Sequence, residues 1–461
     1  MGSFTLLSMP TEVIHHILTE VDALSLARLS QTCRQLNEFI ANDKLLWREH
    51  YLSNFDLPVE AESDFAFNFK ARFKELQKLI KLLQSNDPRQ KRDNMNWIAQ
   101  RIALLLQDFP EGSQTVDATE NDSYIERTNT SRNANLLSKL FGPVNADNLL
   151  CGSDLFRKCG TEDMIRYDTP EERQNAAMLH VMYGVPVDPR GRSQQATNPY
   201  ARSRVYDLRF YGHKSRWGPF RPDDSMEVDW ENLESVIIVL GYNFSVFRER
   251  TGGAIPDLWD TPFSGLAPDA FPIVKEPKFP LEDPYGAYGT WMRVVCFLDY
   301  TDLYAFNFTD PDSLDFNPRE KPREPLETEE AIRLITCKMD VAAIDMPTDP
   351  DDDPKWPVVK FIGKSRSRHA GWDPNANSSL RGCVRKTIKG DIRWTTWSIF
   401  HGEERWRSES IQIGGIRSAR GIIGNWFDKD YDTHGPVGPT AFWKISNDIL
   451  DDEKLVELPW M

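Results

Sequence analysis

Met9-Pro10-Thr11-Glu12-Val13-Ile14-His15-His16-Ile17-Leu18 is the run from which the organisation of this 461-residue chain is read. Pro10 suits the first turn of a helix, where its missing N–H would have no intrahelical partner and its φ is already helical. Val13, Ile14, Ile17, Leu18 and Val21 recur at helical spacing as one apolar stripe. A second helix is expected from Leu24, Leu26, Leu29 and Cys33, with Ser25 available as its cap and Leu36 and Phe39 continuing it. Asn42-Asp43 opens a third, carrying Leu46, Trp47 and Tyr51. These roughly 45 residues present more apolar surface than so short a segment buries alone, so a partner or a packing domain is implied.

Outward from this segment, residues 56–190 also read as helical. Phe69, Phe73, Leu76, Ile80 and Leu83 fall three or four apart within 65–83, 97–106 is another apolar helix, and 129–141 is a weaker one. Thr169-Pro170-Glu171-Glu172 combines an N-cap, a proline at the first helical position and a capping-box glutamate, which predicts a helix running to about Tyr183. The stripes of these helices need burial, so they are expected to form a rigid spacer.

From about residue 200 the texture changes. Apolar or alternating runs at 235–240, 290–298, 303–308, 331–342, 358–362, 380–387, 392–400, 405–413, 421–427 and 440–445 are separated by Gly, Pro, Asn and Asp. About ten short strands of this kind predict a closed or nearly closed antiparallel β-barrel. Trp394, Thr396 and Ser398 alternate with Arg393, Thr395, Trp397 and Ile399, and Lys389-Gly390-Asp391 fits a hairpin turn. The fold class expected is therefore α+β: an N-terminal three-helix unit at 5–55, a helical spacer at 56–190 and a barrel at 195–447. The polar, Pro-containing stretches 110–130 and 346–357 lack periodicity and are the expected first sites of proteolysis.

Several functions are disfavoured by composition. A formal net charge of −15 argues against nucleic-acid binding, which depends on Lys and Arg neutralising phosphates. Six scattered cysteines without a CxxC pair read as free thiols of a reducing compartment, which places the chain in the cytoplasm, the nucleus or both. The first residues lack the basic and apolar regions of a signal peptide, and no apolar run approaches the ~20 residues of a membrane span. Eight dispersed histidines make no HxxxH or HxH pair, and GxSxG and Walker motifs are absent. Glu403 and Glu404 are neighbours that a strand points to opposite faces. Gly252-Gly253 and Gly414-Gly415 read as turns. The acidic run Asp349-Pro350-Asp351-Asp352-Asp353 lacks the glycine and terminal glutamate of an EF-hand loop and reads as a solvated loop. Neither a metal, a cofactor nor a catalytic residue is expected.

The N-terminal run resembles the F-box: a proline, a short helix with Ile17-Leu18, the Leu26, Leu29-Ser30 and Cys33-Arg34 core, then Asp43 and Leu46-Trp47. Met9 stands where that family usually has leucine, a volume-conserving change. The resemblance implies a Skp adaptor as partner and, through it, a cullin. Met9, Pro10, Ile14, Ile17, Leu18, Leu29 and Cys33 are the residues it points to for adaptor binding.

A second resemblance lies near the other end. Leu380-Arg381-Gly382-Cys383, Arg393-Trp394, Arg405-Trp406, Gly414-Gly415-Ile416-Arg417, Trp426-Phe427-Asp428 and His434-Gly435-Pro436, with Trp217-Gly218-Pro219-Phe220, resemble the barrel of fungal F-box proteins. That barrel is distantly similar to the cyclin-D1-binding domain of an animal F-box receptor; cyclin binding itself is not carried over. These resemblances imply a non-catalytic substrate receptor that recruits a protein target for ubiquitination. The competing reading makes the barrel a small-molecule-binding or enzymatic domain regulated through the F-box. Arginine recurs beside tryptophan, and Arg216, Trp217, Arg393, Arg405, Trp406 and His434 are the expected substrate surface. Such residues suit an acidic, phosphorylated or carboxylate-ended segment, because guanidinium groups bind these anions in bidentate fashion.

Overall fold

A computed structural model describes residues 6–58, 60–61, 66–108, 131–141, 149–158, 167–183, 197–251, 283–309, 318, 321–368, 376–418 and 420–451. The stretch 110–130, Gly252-Gly253, Cys159 and most of 310–320 lie outside these residues. The architecture is α+β, with helices leading into a closed eight-stranded antiparallel barrel.

The chain opens on α1 (Thr11–Thr19), α2 (Ala23–Ser30), α3 (Arg34–Asn42) and α4 (Lys44–Asn54). What reads as one continuous second helix is two, because Cys33 is extended (φ −154°) and cannot carry the helix through. The cap of α2 is Asp22 rather than Ser25: its Oδ1 accepts from the Leu24 and Ser25 amides at 2.9 and 3.0 Å. Asp43 caps α4 in the same way, accepting from the Leu46 amide at 3.0 Å. Two caps within about twenty residues confine the chain to short helices and so to a compact bundle.

Next come α5 (Phe69–Gln84), α6 (Pro88–Arg92), α7 (Met95–Gln107), α8 (Arg132–Leu140), α9 (Asp154–Lys158) and α10 (Pro170–Tyr183). One continuous apolar core joins α1 to α5, α7, α8 and the near side of α10, from Ile14 and Leu18 to Leu179 and Tyr183. Asp56, just past α4, is buried and ties that segment to α8: it accepts from Ser131 Oγ (2.5 Å) and from the Arg132 and Asn133 amides. At α10 the expected capping box is present, with Thr169 Oγ1 accepting from the Glu172 amide while Glu172 accepts from the Thr169 amide.

The next two helices are α11 (Asn198–Val205) and α12 (Trp230–Arg250). The run 235–240, expected as a strand, lies inside α12, where every residue from Leu233 to Gly241 is buried. A short apolar run carries no period that separates a buried strand from a helix buried on all sides. Residues 303–308, also expected as a strand, belong to α13 (Tyr300–Phe308), which Asp299 caps. The eight strands are β1 (Gly289–Phe297), β2 (Ala331–Asp345), β3 (Val358–Ser367), β4 (Ser378–Lys386), β5 (Ile392–Phe400), β6 (Glu403–Gln412), β7 (Ile422–Asp428) and β8 (Val437–Ser446). Each pairs with its neighbour in the chain, and β8 closes on β1. Gly390 (φ +93°) makes the expected β4–β5 hairpin.

Alternation along each strand gives the barrel two different faces. The outer face of β1, β7 and β8 (Val294, Ile423, Trp443) packs on α12. The inner face is filled only at one end, where Trp291 and Phe361 lie 5.4 and 5.5 Å from the Trp394 ring. Gly382 makes that plug possible, since a Cβ there would stand 2.4 Å from the Phe361 ring. Toward the other end the barrel holds a cavity of about 350 Å³. The acidic run that reads as a solvated loop is instead ion-paired: Asp351 meets Arg216, Asp352 meets Arg385 and Asp353 meets Lys386.

Candidate functional site

The open half of the barrel is walled by strand positions that alternation turns inward. On β1, Trp291, Arg293, Val295 and Phe297 share that face: Trp291 joins the plug, and the other three line the cavity. Arg293 lies at its floor and is buried; its Nε donates to Thr440 Oγ1 and its Nη1 to Ser398 Oγ, each at 3.2 Å. Its guanidinium also stands 4.6 Å from the Phe442 ring centre. Burial pushes this arginine down to about 10, so it keeps its charge at neutral pH. Arg333 and Arg405 complete the charged lining, and no carboxylate is among the described residues of the wall. Aromatic rings supply the flat sides: Trp406 stands edge-on to Trp426 at 5.3 Å, and Arg405 lies 5.1 Å over Trp406. Trp426 is itself fixed, because its Nε1 donates to the Cys296 carbonyl, and Gly438 leaves room where a Cβ would come within 2.7 Å of that nitrogen. In a chain of net charge −15, this is a locally positive, aromatic-sided pocket.

Of the six residues expected to form a substrate surface, the structure brings Arg405 and Trp406 together in the cavity wall. His434 lies in the β7–β8 turn at the same end of the barrel, stacked 4.7 Å from Phe308 and largely exposed. The other three are elsewhere. Arg393 is on the outer wall, 2.8 Å from the fully buried Glu409. Arg216 pairs with Asp351 at 2.9 Å. Trp217 is 2% exposed, enclosed by Tyr211, Phe427 and Tyr431, and therefore has no surface for a ligand. Arg293, Arg333, Phe297, Phe400 and Trp426 are wall residues that reading arginine beside tryptophan does not find. The available signal is the alternation of β1, which sets an arginine among apolar inward positions.

The second feature is on the N-terminal helices. Ile14 and Leu18 are 5% and 1% exposed and belong to the core. Met9 and Leu29 are half-buried against that core, Cys33 is half-buried, and Pro10 is exposed. Ile17 remains 39% exposed and Val13, one turn earlier, 42%; Leu6, Leu7 and Leu24 are exposed as well. An apolar row of this sort on charged helices has the character of a protein-binding surface. His15 braces the same helix against α4, with Nδ1 2.5 Å from Asp43 Oδ2 and Nε2 3.2 Å from Glu49 Oε2. The bond to Asp43, with a smaller contribution from Glu49, holds its pKa above the usual 6.5 against the opposing effect of burial.

A pH dependence follows from that shift. A histidine whose folded pKa is raised stabilises fully below its unfolded value, and the contribution disappears as pH rises through the folded value. Amide exchange of α1, corrected for intrinsic rates, will therefore show more frequent opening as pH rises from about 6.5 through the raised folded value. His15→Gln will remove the trend; a flat profile in the unaltered protein would contradict the bracing role.

A family model described as F-box-like matches residues 6–53, the span that contains α1 to α3 and nearly all of α4. No curated protein and no solved structure matches the chain.

Proposed function

We propose that this chain is a substrate receptor of a Skp–cullin–F-box ubiquitin ligase, docking the Skp adaptor through its N-terminal helices and presenting a protein target from its barrel. The observation that carries the proposal is the F-box-like match over residues 6–53, joined to an apolar row that the helices leave exposed. F-box domains generally serve as adaptor components, and in this reading the chain does no chemistry. It accelerates transfer by holding the target within reach of the charged conjugating enzyme. Among the described residues Cys33, Cys296, Cys337 and Cys383 are free thiols, in keeping with work in the cytoplasm, the nucleus or both. The likeness of the barrel to that of fungal F-box proteins, and distantly to the cyclin-D1-binding domain, belongs to the same proposal. No cyclin is inferred as the target.

For the target we propose an acidic or anion-bearing segment entering the barrel cavity. Arg293 supports this, as a buried guanidinium held by two hydroxyls and, among the described residues, by no carboxylate. A hydrogen bond to a charged partner contributes about 1.5–3 kcal/mol, so each arginine lost should weaken binding roughly 10- to 100-fold. The test uses fluorescent peptides that end in a free carboxylate, carry a phosphoserine, or are amidated and neutral. Arg293→Met and Arg405→Ala should each weaken the anionic peptides by that factor without lowering the melting temperature. Equal binding of the neutral peptide would overturn the anion reading. A free aryl phosphate that outcompetes every peptide would favour the small-molecule reading of the barrel.

A further inference from the structure

We infer that Arg420 is a positioning residue, whose guanidinium reaches from the β6–β7 turn into the C-terminal end of α10 and locks the barrel to the helical body. Why the lock matters rests on the receptor proposal, in which target and ligase must be held at a fixed separation.

Two apolar cores meet at α10. Ala176, Leu179 and Tyr183 belong to the core that begins at α1, Val181 belongs to the core shared by α12 and the barrel wall, and Met182 packs against both. The last carbonyls of a helix have no intrahelical donor and lie at the negative end of its dipole. Arg420 meets that need from the barrel side: its two terminal nitrogens donate to the Val181 and Met182 carbonyls at 2.8 and 3.0 Å, and the residue is 1% exposed. The turn that carries it is anchored in turn. Ser418 Oγ accepts from the Arg420 amide at 3.1 Å, and Gln412 Nε2 donates to the Ser418 carbonyl. Gln412 Oε1 accepts from Trp394 Nε1 at 3.1 Å, inside the barrel plug. Gly421 follows at φ +78°, where any Cβ would stand 2.3 Å from the Phe442 carbonyl, so only glycine fits that position. A chain of bonds thus runs from the plugged half of the barrel to the end of α10. Along its length α10 is also held to α12 and its cap, through His180 Nδ1 to Glu234 Oε1 at 2.7 Å and Gln174 Nε2 to Asp229 Oδ1 at 2.8 Å.

The test measures the distance distribution between nitroxides placed bio-orthogonally at Asn37 on α3 and Lys389 on the β4–β5 hairpin of the full chain. The expected result is one narrow distance in the unaltered protein and a distribution about twofold broader in Arg420→Met. Arg420→Lys keeps the charge with a shorter reach to the carbonyls and should fall between them, with amide exchange of β1–β8 unchanged. In the assembled ligase, ubiquitin transfer to a cavity-bound, lysine-bearing anionic peptide should drop at least about fivefold in Arg420→Met while peptide affinity stays the same. Unchanged distances in both variants would overturn the lock, and broadened distances with transfer at the original rate would overturn its role. The distance measurement involves no adaptor and no ubiquitin, so its outcome is separate from that of the receptor proposal, which adaptor capture decides.

Discussion

Replacing Val13 and Ile17 together with aspartate abolishes capture of the Skp adaptor and leaves the helical signal intact. Both side chains are about two-fifths exposed on one face of α1, so their substitution opens no cavity in the core. Buried in an interface, two half-exposed aliphatic side chains contribute about 3 kcal/mol together, and introduced carboxylates add an unmet desolvation cost. The expected loss is therefore roughly a hundredfold or more in affinity. Aspartate at Ile14 and Leu18 gives a different result: these residues are inside the bundle, and the N-terminal helices should unfold. Titration calorimetry with purified adaptor, beside circular dichroism of each variant, separates the two outcomes. Undiminished binding by the Val13/Ile17 variant would move the docking surface elsewhere.

Glu409→Gln lowers barrel stability by about 3–5 kcal/mol, the magnitude expected when one member of a buried ion pair is removed and its partner stays. Glu409 is fully buried on β6, and its two oxygens serve Arg393 at 2.8 Å, Thr395 Oγ1 at 3.0 Å and Arg407. Glutamine keeps the shape and removes the charge, so two guanidinium groups lose their counter-ion. Against a typical total of about 5–15 kcal/mol for a domain, a loss of this size is read as a large fall in melting temperature. Burial pushes the Glu409 carboxyl up, but Arg393 and Arg407 outweigh it, and its pKa lies below the ordinary 4.5. A depressed folded pKa stabilises above the unfolded value, and the contribution is lost as pH falls through the folded value. The gap between the original protein and Glu409→Gln should accordingly close only below about pH 4.5. A melting temperature unchanged by the substitution would contradict the pairing.

The same residue explains where reading the sequence stops. That residue 393 is an arginine beside a tryptophan on a strand was legible, and so was the opposite facing of those neighbours. That Glu409, sixteen positions later, neutralises it from the adjacent strand was not, because register across β5 and β6 is a tertiary fact. The N-terminal helices were legible because their caps and stripes are local. Ser25 was the expected cap of α2, and the extended backbone of Asp22 gives that place to Asp22 instead. Helix α12 was missed since an element buried all round has no polar face to show its period. Arg293 was equally open to view within an expected strand, yet its importance depends on the barrel being plugged at one end and open at the other. That difference is made by Trp291, Phe361 and Trp394 from three separate strands.

Affinity purification of the full chain from cells, with and without proteasome blockade, followed by quantitative mass spectrometry, decides whether this chain is a substrate receptor. The expected result is a Skp adaptor and a cullin in both samples at constant ratio to the chain. A second set of proteins should be enriched only under blockade and lost with Arg293→Met and Arg405→Ala while the adaptor is retained. Absence of adaptor and cullin from both samples, or partners indifferent both to blockade and to the two arginines, would contradict the receptor role.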